Sequence, residues 1–302
     1  MRLVSKHHWH VLGAGAIGCL FSQHLASAGC AVTLLTRGQP QSPCARIRIQ
    51  ENGVTREAEV AVAPGADRGR AAQLLVATKA PDIAGALASI EHRIDAETDI
   101  VLAANGMGFV EQLKDMLPGK RLYLCITTEG AHRLAPLHVC HAGRGVTRLG
   151  SVDGLAQPSW FADWPGGELQ QCLWDAHVDI AAWDKLTVNC AINPLTALHQ
   201  CRNGELGSSP ILRRKVAVLC DEIAEVSIAR GRSETAEALR TRVQAVIAAT
   251  ANNRSSMLQD VAAGRVTEID YITGYLVREA KRLGVNTPLN RELLSEVSAL
   301  HG

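Results

Sequence analysis

A glycine-rich turn near the start of the chain restricts the possible folds more than any other feature. Gly13-Ala14-Gly15-Ala16-Ile17-Gly18 follows the apolar run His10-Val11-Leu12 and precedes a helical stretch that ends at Gly29. A second apolar run, Ala31 to Thr36, completes a strand–helix–strand unit. In such units the first glycine permits a tight turn, the second admits a pyrophosphate, and the third lets helix and strand pack closely. The sequence therefore predicts a nucleotide-binding sheet, with the phosphates at the helix N-terminus.

The residue after the second strand indicates which dinucleotide binds. Sites for NAD place an acidic residue there, where it bonds the ribose 2′-OH. Here the strand ends in Thr36-Arg37-Gly38, and the first acidic residue of the whole chain is Glu51. A carboxylate would repel a 2′-phosphate, whereas an arginine can bind one through two charged hydrogen bonds. We therefore expect NADP(H) as the cofactor, with Arg37 on the 2′-phosphate.

The order of apolar patterns predicts two domains, which is also the natural expectation for 302 residues. Short apolar runs predict strands at Leu74–Thr78, Ile100–Ala104 and Leu122–Thr128, and helical periodicity predicts helices at Ile211–Arg230, Glu234–Ala251 and Met257–Leu283. Alternating strands and helices are typical of a parallel sheet covered by helices. We expect an α/β Rossmann domain over residues 1–175, an all-α domain over residues 176–302, and an active site in the cleft between them.

Composition argues against several classes of protein. A net charge of +1 disfavours nucleic acid or an anionic membrane surface as a partner, and no apolar run reaches membrane-spanning length. Nine scattered cysteines without a C-x-x-C pair fit a reducing compartment rather than a disulfide framework. The cluster His138, Cys140 and His141 lacks the ligand spacing of a known metal site. We expect a cytoplasmic monomer or homodimer that binds a small molecule and no metal.

Three polar side chains interrupt an apolar helical segment in the second half of the chain. Lys185, Asn189 and Asn193 are spaced by four residues, so they share one helix face. A buried lysine or asparagine costs free energy unless it is paired or hydrogen-bonded. The stripe is therefore either exposed to water or lines a polar cleft. The flanking residues carry almost no other charge, which favours the cleft.

Further polar residues stand where predicted strands end or helices begin. Lys79 and Asn105 follow predicted strands, and parallel sheets bind ligands at the carboxyl ends of their strands. Ser256 begins a capping-box pattern, and a helix start that needs a cap also attracts a carboxylate, so cap and anion site both remain open. Glu268 lies three turns further on unless Gly264 interrupts the helix.

Taken together, these segments resemble the ketopantoate reductases, which use NADPH to reduce 2-dehydropantoate (ketopantoate) to pantoate in pantothenate synthesis. The matching stretches cover most of the chain in the same order: Gly13–Gly18, Ala77–Ala80, Asn105–Gly108, Thr127–Ala131, Trp183–Leu198, Asn203–Leu206 and Ser255–Ile272. The resemblance implies that Lys185 is the general acid and that Glu268 is a second catalytic residue. It implies a substrate site formed by Asn105, Asn189, Asn193, Asn203, Ser256 and Glu268. It further implies that Arg37 and Lys79 contact the adenosine end of NADPH and that Asn105 and Glu268 also border the cofactor.

Two segments depart from the family pattern, and two other functions fit part of the sequence. Met1 to His8 precede the first strand, and Ser151 to Leu173 are rich in tryptophan and glycine. A reductase for another 2-oxo or 3-hydroxy acid would keep Lys185 without needing Glu268. A non-catalytic NADP(H)-sensing protein would need the glycine turn and Arg37 alone, leaving the lysine–asparagine stripe without a purpose.

Overall fold

The chain divides into two compact units, each of which is assembled from two separate pieces of sequence. A computed structural model describes residues 7–164 and 171–300. The first unit comprises Met1–Ala104 and Phe109–Ala181, and the second comprises Asn105–Gly108 and Ala182–Gly302. Most of the N-terminal extension, and Gly166 and Gly167 of the tryptophan-rich stretch, lie outside the described residues.

The first unit is built on one 11-stranded sheet with the order β11-β10-β7-β6-β5-β1-β2-β4-β3-β9-β8. The strands are β1 (His8–Leu12), β2 (Ala31–Thr36), β3 (Cys44–Glu51), β4 (Val54–Pro64), β5 (Gln73–Val76), β6 (Asp99–Leu102), β7 (Arg121–Thr127), β8 (Gly130–Ala135), β9 (His138–Gly143), β10 (Val146–Ser151) and β11 (Gln171–Trp174). The central run from β7 to β4 is parallel throughout. Strand β1 lies between β2 and β5, so the winding of the sheet reverses there, and doubly wound sheets bind their ligands at that point.

The Rossmann prediction is confirmed for this unit. Strand β2 has the predicted bounds, and β5, β6 and β7 lie within two residues of the predicted positions. The helices of the unit are α1 (Ala16–Ser27), α2 (Ile83–Ala88) and α3 (Phe109–Met116). Helix α1 follows the glycine turn directly, as the motif requires.

The antiparallel hairpin of β3 and β4 was not predicted, although a strand pattern is present in its sequence. Ile47 and Ile49 are fully buried, and they alternate with Arg46 and Arg48, which are exposed and pair with Glu57 of β4. This alternation with a period of two is typical of a strand with one solvated face. The apolar set is short and interrupted by charge, so its signal is weaker than that of the long apolar runs elsewhere in this unit.

The tryptophan-rich stretch forms part of the core of the first unit. Trp160 and Trp164 pack edge to face against Trp9 of β1, with ring centroids 5.2 and 5.5 Å apart. Trp160 also donates its indole N–H to Asp99 at 2.9 Å. Edge-to-face aromatic pairs add stabilisation beyond the area they bury. The departure from the family pattern therefore supplies aromatic side chains to this core.

The second unit is helical in all of its described regular structure, apart from one 3-10 turn at Ile269–Tyr271. Its helices are α4 (Val178–His199, which begins in the first unit), α5 (Asn203–Ser208), α6 (Pro210–Ala229), α7 (Ala236–Ala249), α8 (Ser256–Ala262), α9 (Thr273–Leu283) and α10 (Pro288–Ala299). None of the described helices has the length and apolar character needed to cross a membrane.

The prediction of a single helix over Met257–Leu283 is wrong. Helix α8 ends at Ala262, and Gly264 has φ +62°, in the left-handed region that stops helices. The chain then forms the 3-10 turn before α9 begins. Glu268 consequently lies at the start of that turn rather than on a continuous helix face.

Candidate active site

Two of the three motif glycines are required by packing within the protein, and the third is not. Gly13 has φ +106°, and a Cβ there would lie 2.8 Å from the backbone of Ala77. A Cβ at Gly18 would overlap the carbonyl oxygen of Gly13. At Gly15 the nearest neighbour of a Cβ would be the Ala77 carbonyl oxygen, at 3.9 Å. Packing therefore leaves Gly15 unexplained, whereas close approach of a pyrophosphate explains it.

The start of helix α1 presents backbone N–H groups without a side-chain cap. Gly15 is the N-cap residue, no side chain of the described chain bonds the cap, and the first turn contains no acidic residue. An uncapped helix N-terminus combines unpaired donors with the positive end of the helix dipole. The turn is thus suited to a phosphate group.

Arg37 and Lys79 lie at the same edge of the sheet as the glycine turn. Arg37 follows the last residue of β2 and is exposed. Lys79 follows β5, is half-buried, and precedes a short 3-10 turn at Ala80–Asp82. Because β1, β2 and β5 are parallel neighbours, their carboxyl ends share one edge. The structure thereby groups the side chains expected at the cofactor.

In the second unit, a short segment with two left-handed glycines places Asn105. Gly106 has φ +87°, and a Cβ there would lie 2.6 Å from the carbonyl carbon of Tyr271. Gly108 has φ +96° and lies similarly close to the Tyr275 ring. The Met107 N–H donates to the Tyr271 carbonyl at 2.8 Å. Glycine is required at both positions because the segment lies directly against the residues that follow Glu268.

Lys185, Asn105 and Glu268 form a hydrogen-bonded chain. The Lys185 Nζ donates to Asn105 Oδ1 at 2.7 Å, and Asn105 Nδ2 donates to Glu268 Oε2 at 2.9 Å. Glu268 is buried and Lys185 is half-buried. An ammonium can only donate and a carboxylate can only accept, so the orientation of the Asn105 amide is fixed by its partners. The arrangement holds a proton donor at a defined position.

Hydrogen bonds also connect the polar face of α4 with the start of α8. The Thr196 hydroxyl donates to the Asn193 carbonyl at 2.9 Å and lies 2.7 Å from the Ser255 hydroxyl. Asn193 is buried and Asn189 is half-buried on the same helix as Lys185. The beginning of α8 is therefore fixed relative to the stripe predicted from the sequence.

The prediction that Ser256 caps α8 is wrong by one residue. The N-cap is Ser255, whose hydroxyl accepts the Leu258 N–H at 3.0 Å. Gln259 does not close a capping box, because its Nε2 donates to the Arg254 carbonyl at 3.0 Å. Ser255 takes the cap because its hydroxyl is buried against Thr196, whereas Ser256 is the exposed first residue of the helix.

Asn203 lies at the start of α5 and bonds to a different part of the second unit. Its Nδ2 donates to the Thr250 hydroxyl at 2.8 Å, and its N–H donates to the Asn253 carbonyl at 3.1 Å. Its Oδ1 is buried and has no hydrogen-bond partner among the described residues. The structure thus does not join Asn203 to the Lys185–Asn105–Glu268 chain, and it leaves a buried acceptor at this position.

A buried charged cluster in the first unit includes one histidine of the metal-ligand candidates. His141 Nε2 lies 2.6 Å from Glu129 Oε2, and both side chains are almost fully buried. Glu51 lies beside them, and hydrogen bonds from Arg144 lower its pKa to about 2. In the part of the chain that the structure describes, no group of His, Cys, Asp and Glu is arranged to hold a metal ion. His141 thus contacts a buried carboxylate, which its spacing along the chain did not indicate.

The chain is similar in sequence and in fold to a group of known reductases. Residues 9–154 match the family described as "Ketopantoate reductase PanE/ApbA", and residues 178–301 match "Ketopantoate reductase PanE/ApbA C terminal". A 2-dehydropantoate 2-reductase of Vibrio cholerae is 39% identical over 293 residues, which are 96% of each chain. The crystal structure of the probable 2-dehydropantoate 2-reductase of Bacillus subtilis has a TM-score of 0.81 at 30% identity, covering 97% of this chain and 100% of that one. A ternary structure of D-mandelate dehydrogenase with NADH and anilino(oxo)acetate has a TM-score of 0.86 at 22% identity and covers 98% of each chain, a likeness of fold.

Proposed function

We propose that this chain, which belongs to the ketopantoate reductase family, reduces 2-dehydropantoate to pantoate with NADPH. The observation that carries the proposal is the hydrogen-bonded chain from Lys185 through Asn105 to Glu268. Reduction of a 2-oxo acid needs a hydride at C2, a proton at its oxygen, and anchors for the carboxylate. NADPH supplies the hydride when it is bound.

The first unit has residues that fit NADPH. The open space at Gly15 and the uncapped start of α1 suit the pyrophosphate. Arg37 would bind the 2′-phosphate, and Lys79 would contact the same end of the molecule. No acidic residue precedes Glu51, which is itself bonded to Arg144 and Arg56, so no carboxylate in this part of the sequence repels the phosphate.

In the second unit, Lys185 would act as the general acid. Its ammonium would donate a proton to the substrate's C2 oxygen while Asn105 holds the position of the Nζ. A positioned proton donor contributes about 10²–10⁴-fold to the rate. Glu268 orients the Asn105 amide and is a suitable acceptor for the terminal hydroxyl of the substrate. We assign the carboxylate to the exposed Ser256 hydroxyl.

The remaining asparagines would complete the polar contacts of the substrate. Asn189 and Asn193 share the helix face of Lys185, and Asn203 has a buried acceptor without a partner in the described chain.

The nine free cysteines support a reducing, cytoplasmic location. We propose a monomer or homodimer.

Lys185→Ala tests the proposed chemistry. The variant should fold and bind NADPH as the wild type does, because Lys185 serves the proton transfer, but kcat with ketopantoate should fall at least about 10²-fold. Fluorescence titration with NADPH and steady-state kinetics measure the two effects. A near wild-type kcat would exclude Lys185 as the general acid. Binding of NADPH without any turnover by the wild type would favour a sensing protein.

Glu268→Ala separates ketopantoate from other 2-oxo acids. The variant should lose much more kcat/KM with ketopantoate than with 3,3-dimethyl-2-oxobutanoate, which differs from it only by lacking the terminal hydroxyl, because a buried acceptor discriminates only when its donor is present. Glu268→Gln, which keeps the volume and an acceptor oxygen, is the matched control. Equal losses on both substrates would remove Glu268 from substrate recognition and favour a reductase of another 2-oxo acid.

A further inference from the structure

The turn of α4 that carries Lys185 is held from outside by an arginine of α7. Arg242 Nη1 donates to the Asp184 carbonyl at 3.1 Å, and its Nη2 donates to the Thr187 hydroxyl at 3.0 Å. These two acceptors lie on either side of Lys185 in the sequence. One guanidinium therefore fixes the backbone before Lys185 and a side chain after it.

Two acidic and two basic side chains make this contact electrically balanced. Glu234 accepts from Arg242 Nη2 at 2.6 Å, and the Asp184 carboxylate accepts from Arg232 Nη2 at 3.0 Å. All four groups are partly buried, with side-chain exposures between 24% and 40%. Planar guanidinium groups hold several acceptors in fixed directions, which a lysine cannot do. We call these four side chains the Arg242 clamp. They hold this turn of α4 in place without adding net charge beside Lys185.

Trp183, which precedes Asp184 of the clamp, is bound to another helix. The buried Trp183 donates its indole N–H to the Ser227 hydroxyl of α6 at 3.0 Å. The Arg230 guanidinium lies 4.3 Å from the centre of the same ring. Trp183 thus attaches this turn to α6 while the Arg242 clamp attaches it to α7. Contacts with two helices oppose rotation of α4 about its own axis.

The Arg242 clamp contacts a side of α4 that faces away from the Lys185 side chain. At 100° per residue, the midpoint between residues 184 and 187 lies about 130° around the helix from residue 185. The Lys185 side chain therefore leaves the helix on a different side from the clamp, and its Nζ donates to Asn105. A lysine has a flexible four-carbon stem, so the position of its Nζ depends on where the backbone begins that stem.

We propose that Arg242 is a positioning residue for Lys185, so that the clamp sets where the proton donor meets the substrate. This inference rests on the proposed role of Lys185. Misplacement of a reacting group by about 1 Å can cost 10²-fold in rate. Arg242→Ala should therefore slow single-turnover ketopantoate reduction by at least about tenfold. The KM for ketopantoate and the Kd for NADPH should stay at wild-type values, since the clamp residues are not among their proposed ligands.

Arg240→Ala is the matched control, because Arg240 lies on the same helix and pairs at the surface with Asp221 of α6. It should leave the single-turnover rate unchanged. A double-mutant cycle then asks whether Arg242 acts through Lys185. In the Lys185→Ala background, the effect of Arg242→Ala should shrink to less than about twofold, because groups that act as a unit are non-additive. An equal effect in both backgrounds, or no effect in the wild type, would overturn the proposal.

Amide hydrogen exchange keeps the test independent of the substrate. Arg242→Ala should speed exchange in the peptide spanning residues 184–189, whereas Arg240→Ala should not. If the alanine variant does not fold, Arg242→Lys keeps the cation, loses the two-pronged contact, and should show the same local effect. A wild-type protein that fails to reduce ketopantoate would contradict the proposed function. Unchanged exchange in that peptide would overturn the clamp, whatever the substrate.

Discussion

At the scale of single residues, Arg37 has the most direct consequence for the choice of cofactor. It is exposed, follows β2 at the same edge of the sheet as the glycine turn, and has no acidic residue before it in the sequence. A serine or glycine at this position would tolerate a 2′-phosphate without attracting it. The proposed contact of the arginine with the 2′-phosphate is a charge-assisted one that NADH cannot make.

Arg37→Asp should weaken binding of NADPH by roughly 1.5–3 kcal/mol, the range for hydrogen bonds to charged groups. The affinity for NADH should change less, because NADH lacks the 2′-phosphate. Titration of both cofactors by fluorescence measures the two affinities. Arg68→Asp makes the same change of charge at another exposed position of the first unit and is the control. Equal affinities of the wild type for NADPH and NADH would contradict the assignment of Arg37.

At the scale of elements, the start of α8 separates a structural serine from one proposed to bind substrate. Ser255 is buried, caps the helix through Leu258 and bonds Thr196 of α4. Ser256 is exposed one residue later. The two neighbouring side chains are chemically identical, so a difference between their variants reports on position alone.

Ser255→Ala should lower the free energy of unfolding by about 0.5–2 kcal/mol, as loss of an N-cap does. Ser256→Ala should leave stability within about 0.5 kcal/mol of wild type, as surface substitutions do, and should raise the KM for ketopantoate. Urea unfolding and steady-state kinetics on both variants provide the comparison. An unchanged KM in Ser256→Ala would move the carboxylate site elsewhere, with Asn105 the next candidate.

Sequence patterns identified the elements whose signal is local. The glycine turn with β1, β2 and α1 needed no tertiary information, because turn geometry, apolar runs and helix start are adjacent in the chain. The break before Glu268 depended on whether Gly264 would stop a helix, which a lone glycine does not decide. The choice of Ser255 over Ser256 as cap depended on Thr196, a residue distant in sequence.

The candidate site shows the same division between local and distant information. The spacing of Lys185, Asn189 and Asn193 is by itself enough to place them on one helix face. The bond from Asn105 to Lys185 joins residues 80 positions apart, and the contact of Arg242 with Asp184 spans 58. No periodicity encodes such pairs. The resemblance to known reductases named Asn105 but gave no sign of the arginine.

At the scale of the whole molecule, buried titratable groups predict how stability depends on pH. Burial, followed by the charges of His8 and Arg93, lowers the pKa of His10 from 6.5 to about 4. The Arg144 hydrogen bonds lower the pKa of Glu51 from 4.5 to about 2. Both groups bind protons more weakly in the folded protein than in the unfolded chain. Acid therefore favours unfolding at both positions.

The signs define two successive windows of acid destabilisation. Stability linked to His10 is present above pH 6.5 and is lost as the pH falls towards about 4, a loss of roughly 3 kcal/mol at 1.36 kcal/mol per pKa unit. Stability linked to Glu51 is lost between about pH 4.5 and 2. Urea midpoints measured across this range should fall steeply in the first window for the wild type and less for His10→Gln. The exposed His92→Gln variant is the control and should follow the wild type. A flat wild-type profile between pH 6.5 and 4 would contradict this prediction.

Because the second unit is built from two separate stretches of sequence, truncation or recombination of the chain can separate residues that bond each other. The second unit takes Asn105–Gly108 from the middle of the sequence that otherwise builds the first unit. A fragment beginning at Ala182 would retain Lys185 and Glu268 but lack the amide that connects them. A chimera joined at one crossover between residues 108 and 182 would combine an asparagine from one parent with a lysine and a glutamate from the other. Recombination between relatives is therefore expected to keep the Lys185–Asn105–Glu268 hydrogen bonds of one parent only when the exchanged segments carry residues 105–108 together with the segments that hold Lys185 and Glu268.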